Sequence, residues 1–128
     1  MAEISNYLEN ALINGTLRGS TYTAPTTTYL ALYTNDPTDA DTGTEITGGS
    51  YVRQSITFSS PSNGATSNSS AIEFPQATAD WGTITHVGIR DAVTSGNLLY
   101  HTPLDTSKTI SNGDIFKITS TNLSVTLA

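Results

Sequence analysis

The sequence contains no cysteine. Disulfide staples, thiolate metal sites and a cysteine nucleophile are therefore excluded. Charge is scarce as well. Only 12% of the 128 residues are Asp, Glu, Lys or Arg, about half the usual 25%. The five basic residues, Arg18, Arg53, Arg90, Lys108 and Lys117, are scattered singly. Nucleic-acid binding needs a concentrated basic footprint, so no nucleic-acid partner is expected. No run approaches the roughly 18 apolar residues of a transmembrane helix, so no membrane partner is expected either. Glu3 and Glu9 stand where a secretory signal would place lysines, and no long apolar stretch follows them. The expectation is a protein that is soluble where it is made.

Hydroxyl groups replace the missing charge. The 23 threonines and 15 serines make up about 30% of the chain, far above ordinary usage. Threonine is β-branched and suits strands, while serine suits turns and caps. The net charge of −6 favours solubility. A single domain of this length can bury one core, held by packing alone or with help from subunit contacts.

One helix is expected, at the start. Ile4, Leu8, Ala11 and Leu12 recur at spacings of three and four, with Tyr7 alongside. Ser5 or Asn6 would cap it, and Gly15 or Gly19 would stop it. Residues 1–20 are read as a helical arm and residues 21–128 as a β-sandwich domain. The segment from Gly19 to Thr28 reads as an extended linker.

The rest reads as short strands. Tyr29 to Tyr33 is an apolar run fit for a central strand. Tyr51 to Phe58 alternates, with Val52, Ile56 and Phe58 on one face and Arg53, Ser55 and Thr57 on the other. Ala71 to Phe74 stops at Pro75. Thr83 to Asp91 sets Thr85, Val87 and Ile89 against His86 and Arg90. Asn97 to His101, Ile115 to Thr119 and Asn122 to Leu127 complete the set. Turn pairs such as Asn63-Gly64 and Asn112-Gly113 separate them. Such alternation belongs to antiparallel sheets, and the predicted fold is an antiparallel, jelly-roll-like β-sandwich with one short N-terminal helix. Ser59 to Ser70, small and polar throughout, reads as an exposed loop.

Few residues suggest chemistry. The stretch from Asp36 to Glu45 is the best metal candidate, because Asp39, Asp41 and Glu45 could offer oxygens to calcium. Its register does not match an EF-hand loop, and a solvated loop with Asx-turns is the reading adopted. His86 and His101 lie on predicted strands, without the close spacing of a histidine metal site, and read as half-exposed. No G-x-S-x-G elbow or other nucleophile motif accompanies them. No catalytic residue, cofactor or metal ligand is assigned, and no enzyme activity is expected. Aromatic and apolar positions are the better candidates for contact. Tyr7, Leu8 and Leu12 of the helix, Tyr29 and Tyr33 of the first long strand, Trp81 and Tyr100 are expected at an interface.

Several stretches carry a resemblance. They include Tyr7-Leu8-Glu9-Asn10, Thr28-Tyr29-Leu30-Ala31-Leu32-Tyr33-Thr34, Asp36-Pro37-Thr38-Asp39, Gly48-Gly49-Ser50-Tyr51, Ala79-Asp80-Trp81-Gly82-Thr83 and Gly96-Asn97-Leu98-Leu99-Tyr100. The likeness covers most of the chain. The sequence resembles a family of small structural proteins of tailed-bacteriophage virions, which are described as tail-fibre or capsid-associated proteins. The resemblance implies a non-enzymatic virion component, made in the host cytoplasm. Its implied partners are the major capsid protein or neighbouring virion proteins, with a homo-oligomer, a trimer by analogy. A fibre shaft would show repeats or heptads, and neither is present. The leading expectation is a capsid cement or decoration protein that stabilises the assembled shell. The alternative is a tail or tail-fibre component that contacts tail proteins or, through Trp81 or the loop from Ser59 to Ser70, host glycans.

Overall fold

The computed structural model describes residues 2–127. It contains β1 (Glu3–Ile4), α1 (Asn6–Leu17), β2 (Thr28–Tyr33), β3 (Gln54–Ile56), β4 (Ala65–Ser67), β5 (Ile72–Glu73), β6 (Gly82–Arg90), β7 (Leu98–Ile110), β8 (Lys117–Ile118) and β9 (Ser124–Thr126). A five-stranded antiparallel sheet runs in the order β1-β7-β6-β2-β3. Two short ladders, β4-β9 and β5-β8, complete the strands. The fold is all-β and antiparallel with one N-terminal helix. It is sandwich-like, and no barrel closes among the described residues.

Register decides which side chains share a face. Leu30 pairs with Ile89 and Leu32 with Val87, so these four point one way. They pack with Ile72, Phe74, Phe116, Leu123 and Val125 from the two ladders and their flanks. This is the core. The opposite face carries Tyr29, Ala31 and Tyr33, paired with Arg90, Gly88 and His86. A bulge between Ile89 and Arg90 places one extra β7 residue, Leu99, between the partners Leu98 and Tyr100. Leu98 thereby turns under Tyr33. A Cβ on Gly88 would lie 2.7 Å from Leu98 Cδ1 and 2.9 Å from Tyr33 Cε2, so only glycine fits between them.

Ser5 caps α1. Its backbone is extended, and its hydroxyl accepts from Leu8 N at 3.2 Å while donating to Leu98 O at 2.5 Å. Gly15 lies inside the helix, which ends at Leu17 with Arg18 as its C-cap, before Gly19. β1 ties the N-terminal segment to the sheet through Glu3 opposite His101 and Ile4 opposite Tyr100.

The expected turns form. Asn63 and Gly64 both take positive φ, and Ser62 and Ala65 exchange two backbone hydrogen bonds of 3.0 Å around them. That is a two-residue reversal of the mirror-image type. The segment from Ser59 to Ser70 is not a simple exposed loop. It contains β4, and Asn68 at its end is wholly buried. Asn68 Nδ2 donates to Ser70 O and Thr119 O, and its Oδ1 accepts from Leu123 N. The side chain thus satisfies three backbone groups where no ladder reaches them.

Candidate functional site

The sheet face opposite the core is the chemically rich one, because the acidic segment from Thr34 to Glu45 folds over it. Thr34 N donates to Thr44 O at 3.1 Å, and Asn35 Oδ1 accepts from Thr44 N at 2.6 Å, which closes the loop at its base. Pro37 is buried beneath it. Asp41 then reaches back to Arg90. The two form a bidentate pair, Nη1 to Oδ1 at 2.7 Å and Nη2 to Oδ2 at 2.8 Å. Arg90 also donates to Tyr33 Oη and Gly96 O, both at 3.0 Å. Burial alone would lower the Arg90 pKa, but hydrogen bonds to Asp41 and Tyr33 outweigh it and raise the value.

A second bidentate pair lies alongside. Arg53 Nε and Nη2 each donate to the Glu45 carboxylate at 2.8 Å. Arg53 Nη1 donates to Ala92 O at 2.9 Å and Ser95 O at 2.8 Å, pinning the loop before β7. Tyr51 Oη donates to Glu45 Oε2 at 2.6 Å and accepts from Leu32 N at 3.0 Å. Burial pushes the Glu45 carboxyl up, but the hydrogen bonds from Arg53 and Tyr51 more than reverse this, so its pKa is lowered. Burial, then the Glu45 carboxylate, raises the Tyr51 hydroxyl.

The lowered carboxyl has a consequence for acid stability. A carboxyl with a depressed folded-state pKa stabilises the fold above its unfolded value, here 4.5. That contribution is lost as pH falls through the lower folded value. The urea midpoint should therefore fall between about pH 5 and about pH 3, and less steeply in Glu45→Gln. Equal pH slopes for the two proteins would show that Glu45 is not responsible.

Alternation along β3 and β6 predicts Arg53 and Arg90 on a wet face, and His86 and His101 as half-exposed residues. Arg53, Arg90 and His101 are instead buried. The acidic loop roofs the face that alternation marks as wet. His86 remains partly exposed, its Nδ1 2.8 Å from the hydroxyl of Thr85. His101 is 2% exposed and pairs through Nε2 with Asp39 Oδ1 at 2.7 Å. The acidic loop is thus not simply solvated, since Asp39, Asp41 and Glu45 all turn a carboxylate inward.

Outside this face, an open groove of about 830 Å³ runs between β7 and the segment 114–124. Thr102, Asp105, Lys108, Asp114, Lys117 and Asn122 are among the residues that line it.

The family described as "Podophage GP4 fiber I protein gp80" matches residues 3–126. The chain belongs to that family. It is therefore a virion protein of the tailed-phage, fibre-related kind. A search of curated proteins found no match.

For this fibre-family chain, the seven contact candidates divide by exposure. Tyr7 is exposed, Leu12, Tyr29 and Tyr100 are partly buried, and Leu8, Tyr33 and Trp81 are interior. Trp81 is 6% exposed, edge-on to Tyr51 at 5.5 Å and to Phe74 at 6.3 Å between ring centroids. Its Nε1 donates to Gly49 O at 2.9 Å. An indole so enclosed cannot stack on a glycan. Leu8 and Tyr33 are likewise consumed by packing. Composition and alternation do not single out Ile13 and Leu17, which are 52% and 80% exposed on α1. Their spacing of four was the available signal, because it places both on one helix face.

Proposed function

We propose that this chain is a non-catalytic component of the phage fibre apparatus and acts by docking onto neighbouring virion proteins. The observation that carries the reading is the family match across residues 3–126, whose description names a fibre protein. The surface offers a docking element in α1, where Ile13, Leu17 and Tyr7 project outward while Leu8 is held in the interior. Ile13 and Leu17, four residues apart, share one exposed helix face, and exposed apolar side chains of this kind mark contact sites.

The test leaves the fold intact. Removing residues 1–20 would strip β1 from the sheet, so paired surface substitutions are preferable. Ile13→Ser with Leu17→Ser should keep the far-UV circular dichroism and melting temperature of the parent. In a complementation assay, its incorporation into particles should drop about tenfold or more, the effect of losing on the order of 1.4 kcal/mol of binding. Full incorporation of the variant would remove α1 from the docking role.

A second reading, a cement protein on the capsid shell, is favoured by the compact body and the absence of heptads or repeats in the sequence. The position of the chain in a density map of the intact particle separates shell from fibre. Solution mass separates a monomer from the trimer expected by analogy.

A further inference from the structure

Beneath the acidic loop, three carboxylates converge on one buried histidine. Glu3 of β1 lies directly across from His101 of β7. Glu3 Oε2 stands 3.7 Å from His101 Nδ1, and Asp36 Oδ1 stands 3.6 Å from the same nitrogen. Asp39 Oδ1 holds the other nitrogen, Nε2, at 2.7 Å. Ligand atoms of Glu3, Asp39 and His101 all lie within 4.8 Å of one another. The imidazole is 2% exposed, whereas Glu3, Asp36 and Asp39 are open to solvent.

The hydrogen bond to Asp39 fixes the ring. An ionised carboxylate only accepts, so Nε2 carries a proton toward Asp39, and the ring turns Nδ1 toward Glu3 and Asp36. Nδ1 faces two carboxylate oxygens, and no hydrogen bond reaches it among the described residues. Both separations exceed hydrogen-bonding distance. Among the described residues, no lysine or arginine forms an ion pair with Glu3, Asp36 or Asp39. Three carboxylates gathered on one imidazole make a point that attracts a cation.

The spacing suits one. Zinc binds histidine nitrogen and carboxylate oxygen at about 2.0–2.2 Å, which puts tetrahedral ligands roughly 3.3–3.6 Å apart. Glu3 Oε2 and Asp36 Oδ1, exposed and at 3.7 and 3.6 Å from Nδ1, stand at the edge of that range. A carboxylate that holds the distal nitrogen of a histidine ligand is the usual supporting arrangement around zinc. A nitrogen donor also argues against calcium or magnesium, which take oxygen ligands.

We propose that His101 and Glu3, with Asp36 and Asp39 of the acidic loop, form a binding site for a divalent transition-metal ion of the zinc type. Asp39 is the positioning residue that orients the ring, and Nδ1 is the ligand atom. The bound ion would join β1, the acidic loop and β7 at one point.

The full chain, stripped with chelator and dialysed, is titrated with zinc chloride in a calorimeter and with cobalt(II) chloride in a spectrophotometer. The expected result is one ion per chain, visible cobalt bands of a four-coordinate nitrogen–oxygen site, and a melting temperature raised by several degrees with zinc. Glu3→Gln with Asp36→Asn changes only exposed side chains and should weaken zinc binding at least tenfold while leaving the metal-free melting temperature near that of the parent. In nitrogen-15 spectra, zinc should shift Nδ1 of His101 and leave its Nε2 protonated. Failure to retain zinc or cobalt above the dialysis buffer overturns the proposal. So does retention that Glu3→Gln with Asp36→Asn leaves unchanged, or that disappears in His86→Gln.

Discussion

Replacing Arg53 by alanine should cost about 3–5 kcal/mol of folding stability, the range for removing one partner of a buried ion pair. The guanidinium is 7% exposed and bonds two separate parts of the chain. Its loss leaves Glu45 with Tyr51 as the remaining hydrogen-bond donor, and leaves Ala92 O and Ser95 O without their partner. Glu45 is 23% exposed, so some water reaches the abandoned carboxylate and the lower half of the range is expected. Arg53→Lys should recover little, because a single ammonium cannot reproduce the planar fork that grips Glu45 and two carbonyls at once. Adding Glu45→Gln to Arg53→Ala should restore part of the loss, since an uncharged side chain is cheaper to leave unpaired. Urea unfolding of the four proteins checks this. A loss below about 1 kcal/mol for Arg53→Ala would place the pair among ordinary surface contacts.

Trp81→Ala should be comparably damaging, at about 3–5 kcal/mol for an aromatic side chain deleted from a core. The indole fills the space between Tyr51, Phe74 and the turn at Gly49. Gly49 takes φ +60, and a Cβ there would sit 2.7 Å from Trp81 Nε1, so the turn and the ring are fitted to one another. Trp81→Phe keeps most of the apolar contact but removes the donor to Gly49 O, for an expected loss of about 1–3 kcal/mol. Thermal unfolding followed by far-UV circular dichroism measures both. The parent's only tryptophan gives an independent signal, as its emission should shift to the red on unfolding. If Trp81→Ala melts within a few degrees of the parent, the ring is peripheral to the core.

Much of the scaffold is legible in the sequence, and the reason is local. The run at Tyr29 to Tyr33 becomes β2, and Leu8, Ala11 and Leu12 become the inner face of α1, whereas Ile4, expected on the same helix, lies in β1. Leu123 and Val125 point inward as their alternation requires. Asn63-Gly64 reverses the chain because both residues tolerate positive φ. Each signal lies within a few residues of its effect.

The candidate site is not legible in this way. Alternation separates Val87 and Ile89 from His86 and Arg90, but it misses the irregularity that brings Ile84 rather than Thr85 into the core, and it cannot say that a loop some 50 residues earlier will cover the second face. Arg90 and His101 therefore look like solvent-facing residues until Asp39 and Asp41 are placed over them. Spacing within the sequence cannot show the gathering around His101 either, since Glu3, Asp36, Asp39 and His101 come from three separated segments. Asn68 gives no sequence signal at all, because its role is to replace missing backbone partners created by the tertiary fold.

The pairing of the first strand with the seventh has a consequence during synthesis. Ser5 finds its partner Leu98 only 93 residues later in the chain. At about 5–20 residues per second, a ribosome leaves that interval open for roughly 5–20 s. The Ser5–Leu98 bond and the Glu3–His101 pairing therefore wait for β7, whereas the cap from Ser5 to Leu8 N is local and can form early. Before residue 98 is made, the segment around Ser5 has only the bond from Asn6 N to Asp39 O to hold it to the rest of the chain among the described backbone contacts.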